Sequence, residues 1–103
     1  MLSMAEIKIL YFGVLKEIVG SRQEKLEIED SVPAVEIVSK LAERHGKRFH
    51  DFVMDSKGRT RAGLAYAVNG DTVEESALEK TKCKDVNEFV ILPPISGGLL
   101  SRP

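Results

Sequence analysis

The sequence has no tryptophan and one cysteine, Cys83, among its 103 residues. A lone cysteine excludes an internal disulfide, and we expect a reducing, cytoplasmic setting. No apolar run approaches the roughly 20 residues of a membrane-spanning helix, and Met1–Met4 is too short and uncharged for a signal peptide. Because the formal net charge is only -1, we predict neither nucleic acid nor a membrane surface as a partner.

Motifs of catalytic and nucleotide-binding sites are also missing. Neither the phosphate-binding loop Gly-x-x-x-x-Gly-Lys-Ser/Thr nor Gly-x-Gly-x-x-Gly occurs. His45 and His50 supply too few ligands for zinc, so no metal site is predicted. Lysines beside Cys83 favour a lowered thiol pKa, but an inert, solvated or half-buried thiol is the preferred interpretation. The chain is therefore expected to be a non-catalytic carrier or a binding module that holds no cofactor.

Periodicity predicts one small α+β domain. Residues 7–12 and 24–29 alternate as strands and are expected to form an antiparallel hairpin, with at most a short helical turn at 14–19. Ser31 is the predicted N-cap of one long amphipathic helix, which has Pro33 in its first turn and ends at Gly46.

The second half of the chain is expected to hold further strands. Residues 49–62 are predicted to be irregular, 64–68 form a strand that ends in a tight turn at Asn69-Gly70, and 86–92 form the last strand. The element order is then β-β-α-β-β, in a mixed sheet of four to five strands packed on one main helix. We expect the last strand to lie beside the first.

The two most apolar strands predict an unusual surface. If Ile7, Ile9, Tyr11, Phe89 and Ile91 face the helix, the opposite face carries a set that we call the apolar patch: Leu10, Phe12, Val90 and Leu92. Exposed patches of this kind usually mark a partner surface. The alternative is that the 49–62 segment folds over this face and buries it.

The last strand leads into Pro93-Pro94-Ile95-Ser96-Gly97-Gly98. Prolines stiffen and project a segment, and Gly97-Gly98 can thread a channel that excludes larger side chains. The expected organisation is a domain at 1–98 with a Gly-Gly tail, followed by a C-terminal extension at 99–103. Chemistry at the Gly98 carboxyl requires removal of this extension, because Leu99 is joined to that carboxyl.

Four segments together resemble the MoaD family, the ubiquitin-like small subunits of molybdopterin synthase, which are related to the ThiS sulfur carrier and to small archaeal modifiers. These segments are 7–13, 15–20, 67–70 and 85–98. The resemblance covers about 7–98 and implies a ubiquitin-like β-grasp fold.

The resemblance also implies a sulfur-transfer cycle. A ubiquitin-activating-type enzyme uses ATP to adenylate Gly98, a sulfur donor converts it to a thiocarboxylate, and the molybdopterin synthase catalytic subunit takes the sulfur. Leu10, Phe12, Val90, Leu92, Pro93 and Pro94 are the expected partner-binding residues.

Members of the family usually stop at Gly-Gly, and three explanations of Leu99–Pro103 remain open. The first is that a trimming protease removes them, the second is that they are a cloning remnant or altered end, and the third is that carrier chemistry has been lost. Two alternatives to the carrier therefore stand: a protein modifier joined through Gly98 to lysines, and a non-catalytic ubiquitin-like binding module.

Overall fold

The computed structural model describes residues 3–92. The strands are β1 (Met4–Leu10), β2 (Gln23–Glu29), β3 (Ala65–Val68), β4 (Asp71–Val73) and β5 (Glu88–Leu92). The helices are α1 (Gly13–Val19), α2 (Val35–His45), α3 (Lys47–Val53) and α4 (Glu75–Lys80), with a 3₁₀ turn at Cys83–Asp85. Within these residues, no helix is long and apolar enough to cross a bilayer.

The strands form one mixed sheet in the order β2-β1-β5-β3-β4. β5 pairs with β1 in parallel and with β3 antiparallel, so the last strand lies beside the first as predicted. The β1–β2 hairpin is also confirmed. A sheet with helices against one face is the α+β class that the sequence predicts.

The core lies between this sheet and the helices. Ile7, Ile9, Tyr11, Phe89 and Ile91 are all buried in it, so the predicted assignment of strand faces is confirmed. α2 contributes four buried side chains to the same core: Ile37, Val38, Leu41 and Ala42. Residues spaced three and four apart share one face of a helix, so these four side chains form a single apolar stripe that faces the core.

The helix boundaries differ from the prediction at α2. Ser31 does not cap the helix, which begins at Val35 after Ala34 without a side-chain cap. The Ala34 N–H instead donates to the Thr81 carbonyl at 2.7 Å, a contact from a distant part of the chain. Gly46 ends α2 with a φ of 89°, as expected of a glycine at a helix terminus.

Two segments are more helical than predicted. Residues 13–19 form the complete helix α1, which buries Leu15. Within 49–62, the first part belongs to α3, where Phe49 and Val53 are spaced four apart and are both buried. α3 contacts α2 and α1, so it packs on the helix side of the sheet and does not cover the opposite face.

The predicted tight turns are confirmed. Asn69 and Gly70 join β3 to β4, and both have positive φ, 55° and 90°. Asn-Gly is the preferred pair for this two-residue hairpin turn. In the 55–58 turn, the Gly58 N–H donates to the Asp55 carbonyl at 3.0 Å.

Candidate functional site: the outer face of the sheet

We call the face of the sheet opposite the helices the outer face, and its central strands carry the apolar patch. Leu10 on β1 pairs directly with Val90 on β5, and Val90 pairs with Ala67 on β3. Leu92 lies two residues beyond Val90 and pairs with Ala65. Since residues in register share a face, this row of apolar side chains crosses three strands at one end of the sheet.

Exposure differs among the four residues of the patch. The side chain of Phe12 is 52% exposed, whereas Val90 is only 6% exposed. Leu10 and Leu92 are half-buried. Val90 therefore corrects the expectation of four exposed side chains: it lies on the innermost strand, between Leu10 and Ala67, and forms the floor of the patch.

Polar side chains of α1, of the loop before β2 and of the first residue of β2 border the patch. Leu10 and Phe12 line a depression together with three polar side chains: Lys16, Arg22 and Gln23. Two of the three are cationic, which suits a partner with carboxylates around an apolar centre. The sequence analysis missed this rim because Lys16 and Arg22 belong to no local motif and meet only when the β1–β2 hairpin closes.

The other end of the outer face is polar. Lys8 pairs with Glu88 on one side and Lys25 on the other, and Glu6 pairs with Glu27. Lys25 and Glu6 form an exposed ion pair with an N–O distance of 3.9 Å. On the outer face, neighbouring apolar side chains therefore cluster at the end where β5 finishes, and the exposed Met4 is a separate apolar residue at the start of β1.

A cluster of hydrogen-bonded side chains lies directly behind the patch. Tyr11, between Leu10 and Phe12, points to the helix face, where its hydroxyl donates to Glu24 Oε2. Glu24 also accepts from His45 Nε2 at 2.5 Å and from Arg44 Nη1 at 2.7 Å. This cluster ties the end of β1 to β2 and α2, and so supports the backbone that presents the patch.

The pKa shifts in this cluster follow from its contacts. Burial and then the hydrogen bond to Glu24 raise the pKa of Tyr11 well above its ordinary value, so its hydroxyl stays a donor. Burial acts to raise the pKa of Glu24, but hydrogen bonds from Tyr11, His45 and Arg44 outweigh it and lower that pKa. The sequence analysis missed the cluster, because its members are far apart in the chain.

The two histidines do not form a metal centre in the described part of the chain. There, no group of three or more histidine, cysteine, aspartate and glutamate side chains lies close enough to hold a metal ion. His45 bonds to Glu24, as above, and His50 Nδ1 lies 3.3 Å from Asp51 Oδ1.

Cys83 is fully buried rather than solvated or half-buried as expected. Burial, and then the nearby Glu36 carboxylate, raise the pKa of its thiol to about 11. The neighbouring lysines do not lower that pKa, so the thiol is protonated near neutral pH and is a poor nucleophile.

The remaining predicted site residues are Pro93, Pro94, Gly97 and Gly98. They follow Leu92 in sequence but lie outside the described residues. The structure therefore defines the patch at the end of β5, and the sequence alone connects it to the Gly-Gly segment.

Two curated relatives match most of the length of this chain. A molybdopterin synthase sulfur carrier subunit from Chlamydomonas reinhardtii is 28% identical over 93 residues, which is 90% of this chain and 99% of that protein. A protein of the same name from Homo sapiens is 24% identical over 98 residues, 95% of this chain and 100% of that protein.

Solved structures show the same architecture. The small archaeal modifier protein 1 from Methanosarcina acetivorans superposes with a TM-score of 0.72 at 25% identity, covering 93% of this chain and 99% of that one. The fold is therefore the ubiquitin-like β-grasp that the resemblance implies. The sequence model of the ThiS family matches residues 9–98, and the chain belongs to the ThiS family, among its MoaD-like members.

Proposed function

We propose that this chain is a sulfur carrier for molybdopterin synthesis, and that Gly98 carries the sulfur. The observation that supports this most is the position of the apolar patch. β5 ends at Leu92 in the patch, and Pro93-Pro94-Ile95-Ser96-Gly97-Gly98 follows at once. A partner seated on the patch is therefore next to the start of the segment that its active site must receive. The names of the curated relatives agree with this role.

The chemistry begins with a free carboxylate at Gly98. Leu99 follows Gly98 in this sequence, so a protease must first hydrolyse that peptide bond and remove residues 99–103. The carboxylate then attacks the α-phosphate of ATP on a partner activating enzyme. Pyrophosphate leaves, and the product is a mixed anhydride whose leaving group is AMP.

Sulfur enters in the next step. A sulfide equivalent attacks the activated carbonyl, AMP leaves, and Gly98 ends in a thiocarboxylate. Its sulfur is a far stronger nucleophile than a carboxylate oxygen. The catalytic subunit of molybdopterin synthase directs this sulfur to its substrate, and hydrolysis of the resulting thioester returns the Gly98 carboxylate. No side chain of this chain takes part in bond making, which agrees with the buried, protonated Cys83.

The apolar patch has a docking role in this proposal. Burial of Phe12, Leu10 and Leu92 against a partner supplies the hydrophobic contribution, at about 25 cal/mol per Å² of apolar surface. Lys16 and Arg22 at the border meet acidic groups of the partner and orient it. The same surface serves the activating enzyme and the catalytic subunit in turn, since both must receive Gly98.

A second candidate is a protein modifier, joined through Gly98 to lysines of other proteins. The structural similarity to small archaeal modifier protein 1 favours it. The two functions share the adenylate and differ in the nucleophile that follows, a sulfur donor or a lysine amine.

The test is intact mass spectrometry of the protein isolated from its native host. A chain that ends at Gly98 with one carboxyl oxygen replaced by sulfur supports the carrier. Isopeptide-linked ladders that disappear in the Gly98→Ala variant support the modifier. A chain that retains Leu99–Pro103 in every molecule contradicts both and supports a non-catalytic binding module.

A second experiment checks the activation step. The chain trimmed to Gly98 is incubated with the adenylating enzyme, ATP and sulfide, and pyrophosphate release is followed. The Gly98→Ala variant with an intact apolar patch is the matched control, which we expect to bind without turning over. Failure of the trimmed chain to be adenylated would contradict the proposed carrier chemistry.

A further inference from the structure

The free edge of the sheet at β2 has a feature that the carrier function does not use. β2 is the outermost strand, with β1 on one side only. The Tyr11 N–H donates to the Arg22 carbonyl at 2.8 Å, and the Asp30 N–H donates to the Ser3 carbonyl at 2.9 Å. These two bonds establish which residues of β2 pair with β1, because the hydrogen-bonded positions of an antiparallel ladder alternate.

The alternation directs four residues outward. Glu24, Leu26 and Ile28 bond to β1, whereas the backbone N–H and C=O groups of the intervening residues point away from the sheet. These outward residues are Gln23, Lys25, Glu27 and Glu29.

The first half of this edge is closed by contacts from its own chain. Ser21 Oγ donates to the Gln23 carbonyl at 2.8 Å and lies 3.3 Å from the Gln23 N–H. Arg44 Nη1, from α2, donates to the Lys25 carbonyl at 3.1 Å. Such side-chain contacts prevent another strand from pairing there.

The second half is open within residues 3–92, where no hydrogen bond covers the outward backbone groups of Glu27 and Glu29. A groove between β2 and α2 lies beside these two residues. Its other walls are formed by Met4, Ile28, Val32, Glu36 and Lys40. The strand therefore offers a short unpaired ladder next to a partly apolar groove.

The charge of this groove selects its occupant. Three glutamates border this edge against the single lysine of the groove, Lys40: Glu36 lies on the helix side, and strand parity places the side chains of Glu27 and Glu29 on the outer-face side of the same backbone. A second copy paired antiparallel on the same edge would bring its own Glu27 and Glu29 beside these carboxylates. Like charges on adjacent strands are destabilising. An extended segment with basic side chains at alternate positions meets no such repulsion.

We propose that the Glu27–Glu29 edge binds an extended basic segment of a partner protein, which adds a short strand to the sheet. Its basic side chains lie on the outer face beside Glu27 and Glu29. The apolar residue between them faces the groove at Ile28 and Val32. Backbone hydrogen bonds provide affinity, and the carboxylates provide the preference for basic residues.

This groove and the apolar patch can be occupied together. Glu29 pairs with Met4 and Gln23 pairs with Leu10, so the two sites lie at opposite ends of β1. Six steps from residue to residue along the strand separate them, which is about 20 Å at ~3.3 Å per residue. A partner bound at the edge leaves the patch and the Gly-Gly segment accessible.

The test uses a labelled peptide, Lys-Val-Arg-Val-Lys with blocked ends, and a charge-reversed peptide with glutamates in place of its basic residues. Fluorescence anisotropy should show binding of the basic peptide alone, weakened by salt. Hydrogen exchange of the Glu27 and Glu29 amides should slow when it binds. Equal affinity for the two peptides, or unchanged exchange at these amides, would overturn the proposal.

Charge-reversal variants give a second readout. Glu27→Lys with Glu29→Lys should weaken binding of the basic peptide by about tenfold or more. Glu17→Lys with Asp71→Lys makes the same change in net charge at exposed positions on α1 and on β4, the opposite edge of the sheet, and it should reduce affinity by less than about threefold. Similar losses in both pairs would mean that net charge alone attracts the peptide, which contradicts strand addition.

Discussion

The two faces of the sheet differ in polarity along the same strands. On β5, Phe89 and Ile91 lie in the core, while Val90 and Leu92 lie on the outer face. The helix face is apolar along the whole of β1 and β5, because the helices cover it throughout. The outer face carries a cluster of apolar side chains where β5 ends, is charged at Lys8 and Glu6, and has the single exposed apolar residue Met4 at the start of β1.

This difference separates the requirements of folding from those of binding. Folding needs an apolar helix face, since burial there stabilises the domain. Folding alone does not require Leu10, Phe12 and Leu92 to be apolar at one end of a surface whose middle is charged. Their clustering at the end that leads into the Gly-Gly segment is the reason we propose that a partner binds the patch.

The largest expected effect is on the helix face. Phe89→Ala removes a fully buried side chain and should lower the free energy of unfolding by about 3–5 kcal/mol, since it leaves a cavity. Urea denaturation measures this loss. The matched change on the outer face, Leu10→Ala, should cost less than about half as much. Equal losses would break the distinction between the two faces.

The next effect concerns binding alone. Leu10→Glu and Leu92→Glu place a charge in the apolar patch and should weaken binding to the molybdopterin synthase catalytic subunit by about 100-fold or more. Isothermal titration calorimetry measures the affinity, and circular dichroism checks the fold. Lys8→Glu, two residues from Leu10 on the same face, is the control for added charge and should bind nearly normally. Unfolding of the Leu10 and Leu92 variants would instead show that the positions belong to the core.

A smaller effect on stability is expected at Glu24, a charged residue on the otherwise apolar helix face. Glu24→Gln removes the charge that accepts from Tyr11, His45 and Arg44 and should cost about 1–3 kcal/mol near neutral pH. Glu43→Gln, an exposed change on α2, is the control. Urea denaturation at several pH values measures the free energy of unfolding of both variants.

The pH dependence has a definite sign. The folded-state pKa of Glu24 is lowered below its ordinary 4.5, so its contribution is present above that value and is lost as the pH falls through the folded pKa. Stability of Glu24→Gln should therefore decline less on acidification than that of the unmodified protein. An identical decline below the ordinary pKa would contradict the assigned role of Glu24.

The smallest effect is expected at the charged end of the outer face. The Glu6–Lys25 pair is exposed, with side-chain accessibilities of 57% and 74%. Such pairs contribute little because water screens them, so Glu6→Gln should change stability by less than about 0.5 kcal/mol. Thermal unfolding measures it. A loss comparable to that of Glu24→Gln would show that the charged end also stabilises the fold.

Several features were predictable because they depend on neighbouring residues. The alternation of apolar residues along the strands predicted that Ile7, Ile9, Phe89 and Ile91 face the helices. Apolar residues at helical spacing predicted α2. Asn69-Gly70 and Gly46 were recognisable because their positive φ suits these residue types. The helical extent of α1 and α3 was underestimated from sequence. Each has only seven residues, and a helix that short depends on packing for its stability.

The candidate site was predictable in part. The sequence alone identified Leu10, Phe12 and Leu92, because strand parity and the lack of a second long helix leave them uncovered. It did not identify the burial of Val90, which depends on Leu10 and Ala67 lying on either side. Nor did it identify Tyr11 with Glu24 and His45, because the three are brought together by different elements.

The sequence by itself determined the strand faces, the main helix and the membership of the ThiS family, because periodicity and motifs are properties of adjacent residues. Only the tertiary structure decided which outer side chains stay accessible, which polar groups meet behind the patch, and which part of the β2 edge stays open. Exposure, hydrogen bonding and strand pairing are set by residues distant in the chain. Their positions follow from how the sheet and helices pack as a whole.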